Sequence, residues 1–212
     1  MTSALENPLK PEHFLRVDQS DDSGFYLEPK LVTHIDDAAI GSLSRFYGEL
    51  ISGGGAVLDL MTSWVSHLPD SLLLERVAGV GMNAEELAEN PRLSERVVQD
   101  LNKDPELAFG DESFDAAIVT VSVQYLTRPL EVFAEVGRVL KPGAPFAVAY
   151  SNRLFPTKAV AIWRALGDRE HADLIALYFR LSGRFALAQA YDISPGPGSD
   201  PMYVVVGRAL AD

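Results

Sequence analysis

Ala56-Val57-Leu58-Asp59-Leu60 follows the cluster Gly53-Gly54-Gly55 and runs straight into Met61-Thr62-Ser63-Trp64-Val65-Ser66-His67-Leu68-Pro69. A turn signal, a few apolar residues and then polar chemistry is how a buried parallel strand reads. In open α/β sheets, ligands bind outside the carboxyl ends of the strands. Asp59, Met61, Ser63 and the backbone between them therefore sit where a ligand would be held.

The rest of the chain repeats the alternation. Apolar spacing at Ile35, Ala39, Leu43 and Phe46-Tyr47 predicts an amphipathic helix before the first strand, capped by Asp36 or Asp37. A short helix is expected within 63–74, with His67 on it as a solvent-facing or capping residue. Arg76 to Met82 reads as the second strand. Asn83 then caps a helix that Pro91 ends. Arg96 to Leu101 reads as the third strand. Ile118 to Val121 shows no polar alternation, so this fourth strand should be covered on both faces. A helix with Pro129 at its start and a stop at Lys141-Pro142-Gly143 leads to the fifth strand, Pro145 to Tyr150. Helices are expected at 157–166 and 170–181, and strands at 184–191 and 202–209 around a turn-rich loop. Such alternation means a three-layer α/β fold with a mostly parallel sheet. Residues 1–24, polar and carrying two prolines, read as an irregular arm, and residues 25–212 as one domain.

Val57-Leu58-Asp59-Leu60 resembles the first strand of class I S-adenosyl-L-methionine (SAM) methyltransferases, of the broad type 11 group. Ser113-Phe114-Asp115 before the fourth strand, and Arg138-Val139-Leu140-Lys141-Pro142-Gly143 after it, resemble the same family. The resemblance covers roughly residues 30 to 209. It implies a Rossmann-like seven-stranded sheet with an antiparallel last strand, SAM as cofactor and a small-molecule acceptor. It places Asp59, Met61, Ser63, Met82, Asn83, Asp100, Leu101 and Ser122 at the cofactor, Asp100 accepting from the adenine amino group. Gln124, Tyr125 and His34 fall at the catalytic end, with Tyr26, Asn152 and Arg153 facing the acceptor. The N-terminal helical segment would act as a lid. Two departures stand out. Met61, Ser63 and Val65 occupy the places of the family's glycines, and Gly81 that of the acid that bonds the ribose hydroxyls.

The chain has 212 residues, enough for one sizeable core. A net charge of −12 argues against a partner made of phosphates, nucleic acid or anionic membrane, because either would need a basic face. The absence of cysteine excludes disulfides and Cys-ligated metals, and the four histidines show no ligand spacing, so no metal is expected. No apolar run reaches the ~20 residues that span a bilayer. The N-terminus lacks a basic-then-apolar leader pattern, so a cytoplasmic protein is expected. Gly79-x-Gly81-x-x-Ala84 matches a dinucleotide fingerprint in form, but it lies on the second strand instead of the first. Two functions remain. One is methyl transfer, where positioning does most of the work and a base is optional. The other is a non-catalytic relative that binds a different ligand or a protein, with the lost glycines and the lost acid as its motive.

Overall fold

The computed structural model describes residues 7–211; Met1 to Glu6, the start of the expected arm, and Asp212 lie outside the described residues. A 3-10 turn at Pro11–Phe14 and the short helix α1 (Asp22–Phe25) precede α2 (Asp37–Leu50). Then come β1 (Ala56–Leu60), β2 (Arg76–Gly81), α3 (Ala84–Glu89), β3 (Glu95–Val98) and β4 (Ala116–Thr120). The chain closes with α4 (Pro129–Val139), β5 (Pro145–Tyr150), α5 (Ala161–Ala165), α6 (Asp168–Ser182), β6 (Gln189–Asp192) and β7 (Tyr203–Arg208).

The seven strands form one sheet in the order β3-β2-β1-β4-β5-β7-β6. β1 pairs in parallel with β2 and β4, and β4 in parallel with β5, whereas β7 runs antiparallel to both β5 and β6. Alternate residues of the central strands β1, β4 and β5 enter opposite cores. Leu58, Leu60, Ala117, Val119, Phe146 and Val148 face α4 and α6 through Phe133, Val136, Ile175 and Phe179. Val57, Ala116, Ile118, Ala147 and Ala149 face α2 and α3 through Ala39, Leu43, Tyr47 and Leu87. Burial on both faces is what the unbroken apolar runs predict. α2 starts where its cap requires: the Asp36 carboxylate accepts the N–H of Ala39 at 2.8 Å.

The stretch after β1 differs from expectation, because residues 61–75 form no helix. His67 takes a left-handed φ of 55°, which a helix does not admit, and Pro69 biases Leu68 against the helical region. Leu68 and Leu72 are buried instead, and Asn90 ties the loop down from the far side of α3. Its Nδ2 donates to the carbonyl of Ser63 at 2.9 Å and to Ser66 Oγ at 3.0 Å. Gly79 and Gly81 are glycines for packing reasons. A Cβ on Gly79 would stand 2.4 Å from Leu93 Cδ1, and one on Gly81 would stand 2.3 Å from the Thr62 carbonyl oxygen. The fingerprint-like spacing on β2 therefore records close approach within the fold.

Residues 15–36 cross the carboxyl edge of the sheet as a strap. Lys158, 1% exposed, anchors it through Asp18 at 2.9 Å, Asp22 at 3.0 Å and the carbonyl of Ser20 at 3.1 Å. Arg16 pairs with Asp22 at 2.6 Å. Further along, Asn83 Nδ2 donates to the carbonyls of Tyr26 and Leu27, and Trp64 Nε1 donates to that of Val32. Among the described residues no helix is long and apolar enough to cross a membrane.

Candidate functional site

β2 leads away from β1 on one side and β4 adjoins it on the other, so the chain's direction of winding reverses between β1 and β4. That is where an open α/β sheet leaves a crevice. A cavity of about 280 Å³ lies there, roofed by the strap. Its floor is the carboxyl ends of β1, β2 and β4, with Asp59, Gly81 and Thr120 among its walls.

Asp59 ends the apolar run of β1 and is 1% exposed. Its Oδ2 accepts from Thr62 Oγ1 at 2.7 Å, and Ser66 also hydrogen-bonds to it. No cation pairs with it among the described residues, so burial dominates and pushes its carboxyl up to about 7. Asp100, half-buried at the end of the β3 segment, accepts the backbone N–H of Asn102 at 3.0 Å and lies 3.8 Å from Lys103 Nζ. Leu101 beside it and Met82 complete the apolar part of that wall.

Backbone strain is concentrated in this crevice. Among the described residues four non-glycine residues have left-handed φ values, and three of them, Met61 (53°), His67 (55°) and Val121 (51°), line the cavity. For a β-branched residue such as Val121 that conformation is a genuine outlier. Strain of this kind persists where the surroundings over-determine it, and it clusters at functional sites. Met61 thus keeps the bend that a glycine would supply. Ser63 keeps its place beside it and donates to Glu86 Oε2 at 2.5 Å.

Just past the carboxyl end of β4, Ser122 Oγ is buried at the cavity with no hydrogen-bond partner among the described residues. Tyr125 lines the cavity; its hydroxyl accepts the N–H of Phe155 at 2.8 Å, and burial raises its pKa, so it is a neutral phenol at pH 7. Gln124 is buried outside the cavity, where its Nε2 donates to the carbonyls of Val121 and Arg153. His34 stands at the mouth with its ring edge-on to Phe155, 5.2 Å between centroids. Partial burial depresses its pKa, more than the charge of Glu86 raises it. Tyr26 lines the roof. Arg153 lines the mouth but is paired with Asp200 at 2.7 Å. Asn152 is exposed, beside Ser151 and outside the cavity. Asn83 uses both ends of its amide: Oδ1 caps α3 by accepting from Glu85 and Glu86, and Nδ2 holds the strap.

Two cavity residues carried weak signals in the sequence. His67 read as solvent-facing, yet it is mostly buried, its Nδ1 has no partner, and desolvation lowers its pKa to about 4. Glu86 read only as one residue of the helix that Asn83 caps, but its carboxylate turns into the cavity. Among the described residues no group of three or more His, Asp or Glu side chains could hold a metal ion.

Residues 52–148, which span β1 to β5, match the methyltransferase domain family. Over that stretch the chain is similar to methyltransferase domains. A bifunctional biotin-biosynthesis protein of Teredinibacter turnerae is 30% identical over 102 residues, 47% of this chain and 18% of that protein. The chain thus matches less than a fifth of that relative's length. A SAM-dependent methyltransferase from Aquifex aeolicus superposes with a TM-score of 0.60 at 16% identity, covering 91% of this chain and 100% of the other. The complex of the Haloferax volcanii Trm112 methyltransferase activator with its methyltransferase gives a TM-score of 0.62 at 18% identity, covering 82% and 92%. At these identities the two structures show the methyltransferase fold: seven strands, mostly parallel, with β7 reversed.

Proposed function

We propose that this protein transfers a methyl group from SAM to a small-molecule acceptor bound in the crevice between β1 and β4. The observation that carries the reading is Asp59, a buried carboxylate with no cation of its own, facing a cavity at the point where the fold binds ligands. Such a group is complementary to a cationic ligand. SAM carries a sulfonium and an ammonium against one carboxylate. The donor set fits it: carboxylates at Asp59 and Asp100, an apolar wall at Leu101 and Met82 for a flat base, and an unsatisfied hydroxyl at Ser122. When bound, SAM supplies an electrophilic methyl group. The chain's own residues bind, orient and exclude water. Asp59 holds positive charge, Asp100 accepts from the base, and the strap with Tyr26 and His34 covers the site. Tyr125 and Ser122 shape the space beyond β4, where the acceptor sits. Both are neutral, which suits a transfer that rests on alignment of the reacting atoms.

The cavity, close to the lower end of the ~300–1,000 Å³ usual for small-molecule sites, is shared with the cofactor and leaves room only for a small acceptor group. The net charge of −12 points the same way. Methyl-labelled SAM, offered with pools of small hydroxyl, amine and thiol compounds and in parallel with RNA and with protein, tests this. Label is expected in the small-molecule pool. Label in RNA or protein alone would overturn the reading of the acceptor.

A further inference from the structure

Glu86 lies on the first turn of α3, 7% exposed, with its carboxylate directed at the cavity. Oε1 accepts the backbone N–H of Lys30 at 2.7 Å, and Oε2 accepts the hydroxyl of Ser63 at 2.5 Å. No cation pairs with it among the described residues. A carboxylate offers roughly four lone-pair positions, so acceptor capacity is left over.

In nucleotide-binding βαβ units an acid about 20 residues beyond the first turn holds the ribose hydroxyls. In this chain that place is the end of β2, at Gly81, and it has no room for an acid. A Cβ there would stand 2.3 Å from the Thr62 carbonyl oxygen and 3.0 Å from Leu87 Cδ2. The first obstacle is backbone, which does not swing aside. Asn83 offers no substitute, since its carbonyl oxygen already accepts two backbone N–H groups. Glu86 borders the same cavity, and Ser63 orients it from the loop after β1.

We propose that Glu86 is the acceptor for the ribose hydroxyls of the bound nucleoside, taking the part that an acid on β2 cannot play here. This rests on the function proposed above. The loss of glycine at position 63 and the loss of an acid at position 81 are then two halves of one change. The serine that replaces the glycine aims the carboxylate that replaces the acid.

Calorimetric titration with S-adenosylhomocysteine and with its 2′-deoxyribose analogue tests the assignment. The wild-type protein is expected to prefer the ribose form by about 10-fold or more, the effect of a hydroxyl bonded to a charged acceptor. In Glu86→Gln, which keeps the side chain's shape and its bond to Lys30, that preference should collapse toward 1. In Ser63→Ala the carboxylate remains but loses its orienting bond, so the preference should shrink by less. If Glu86 only fastened the strap, Glu86→Gln would weaken both ligands equally and leave the preference intact, and that result would overturn the assignment. An unchanged preference in Ser63→Ala would overturn the orienting role. A wild-type protein that binds neither ligand at millimolar concentration would instead overturn the function on which the assignment rests.

Discussion

Asp59 is a carboxyl that folding makes harder to ionise, and the sign of its effect on stability follows. Its pKa moves from 3.8 to about 7 because burial penalises the charged form. Between those values the folded protein holds a proton that the unfolded chain has lost. Stability therefore falls as pH rises from about 4 to about 7, and stays low above that. Asn in place of Asp59 can still accept from Thr62 and carries no charge. Asp59→Asn should raise stability on the order of 2–4 kcal/mol at pH 8 and leave it nearly unchanged at pH 4, read by denaturant melts at both pH values. An equal effect at both pH values would show that folding does not raise the pKa of Asp59. The same substitution should weaken cofactor binding. The presence of an acid at the end of β1 was legible in the sequence. Its lack of a counter-ion was not, because that depends on every element around the crevice. His67 and Val121 were opaque for another reason: nothing in a histidine or a valine announces a left-handed backbone.

Among the elements, the strands were readable because burial on both faces removes polar alternation, and Ile118 to Val121 shows it plainly. The 61–75 loop was not readable. Its shape is set by long-range bonds from Asn90 and by the seat of Thr62 against β2, and its local sequence permits a short helix. Thr62 N donates to the Val80 carbonyl at 3.0 Å, and its own carbonyl lies over Gly81. Gly81→Ala should accordingly cost about 1–3 kcal/mol by overpacking against backbone. Gly81→Asp, which restores the acid that the family carries there, should destabilise the protein at least as much and fail to tighten SAM binding. Thermal melts and titration of the two variants check this, and a stable Gly81→Asp protein with tighter binding would show that the loop yields.

Across the whole molecule, the site is assembled from segments far apart in sequence, and the strap is the clearest case. Lys158 reaches back to Ser20 and Asp22, and burial of these charges is offset only because they are paired. Burial alone would raise the pKa of Asp22; hydrogen bonds from Arg16 and Lys158 outweigh it and hold the carboxyl below its ordinary range. Lys158→Met removes a cation from that cluster and should cost about 3–5 kcal/mol at neutral pH. The loss belongs mainly to the strap. Amide hydrogen exchange should speed up across residues 15–36, while β1 and β4 stay protected. Exchange that is unchanged in the strap would show that it is held by its other contacts. The sequence marked residues 1–24 as polar and irregular but gave no sign of this anchoring, because a lone lysine before α5 looks like any surface lysine.

The most direct test of the cofactor site is the affinity of SAM as a function of pH, followed by calorimetry at pH 6, 7 and 8. If Asp59 faces the ligand's positive charge, binding to its ionised form is favoured, and affinity should rise with pH by up to about 10-fold across this range. In Asp59→Asn the rise should vanish and the affinity should stay at or below the wild-type value at pH 6. Binding that is independent of pH in the wild-type protein, or no binding at millimolar SAM at any pH, would contradict the account.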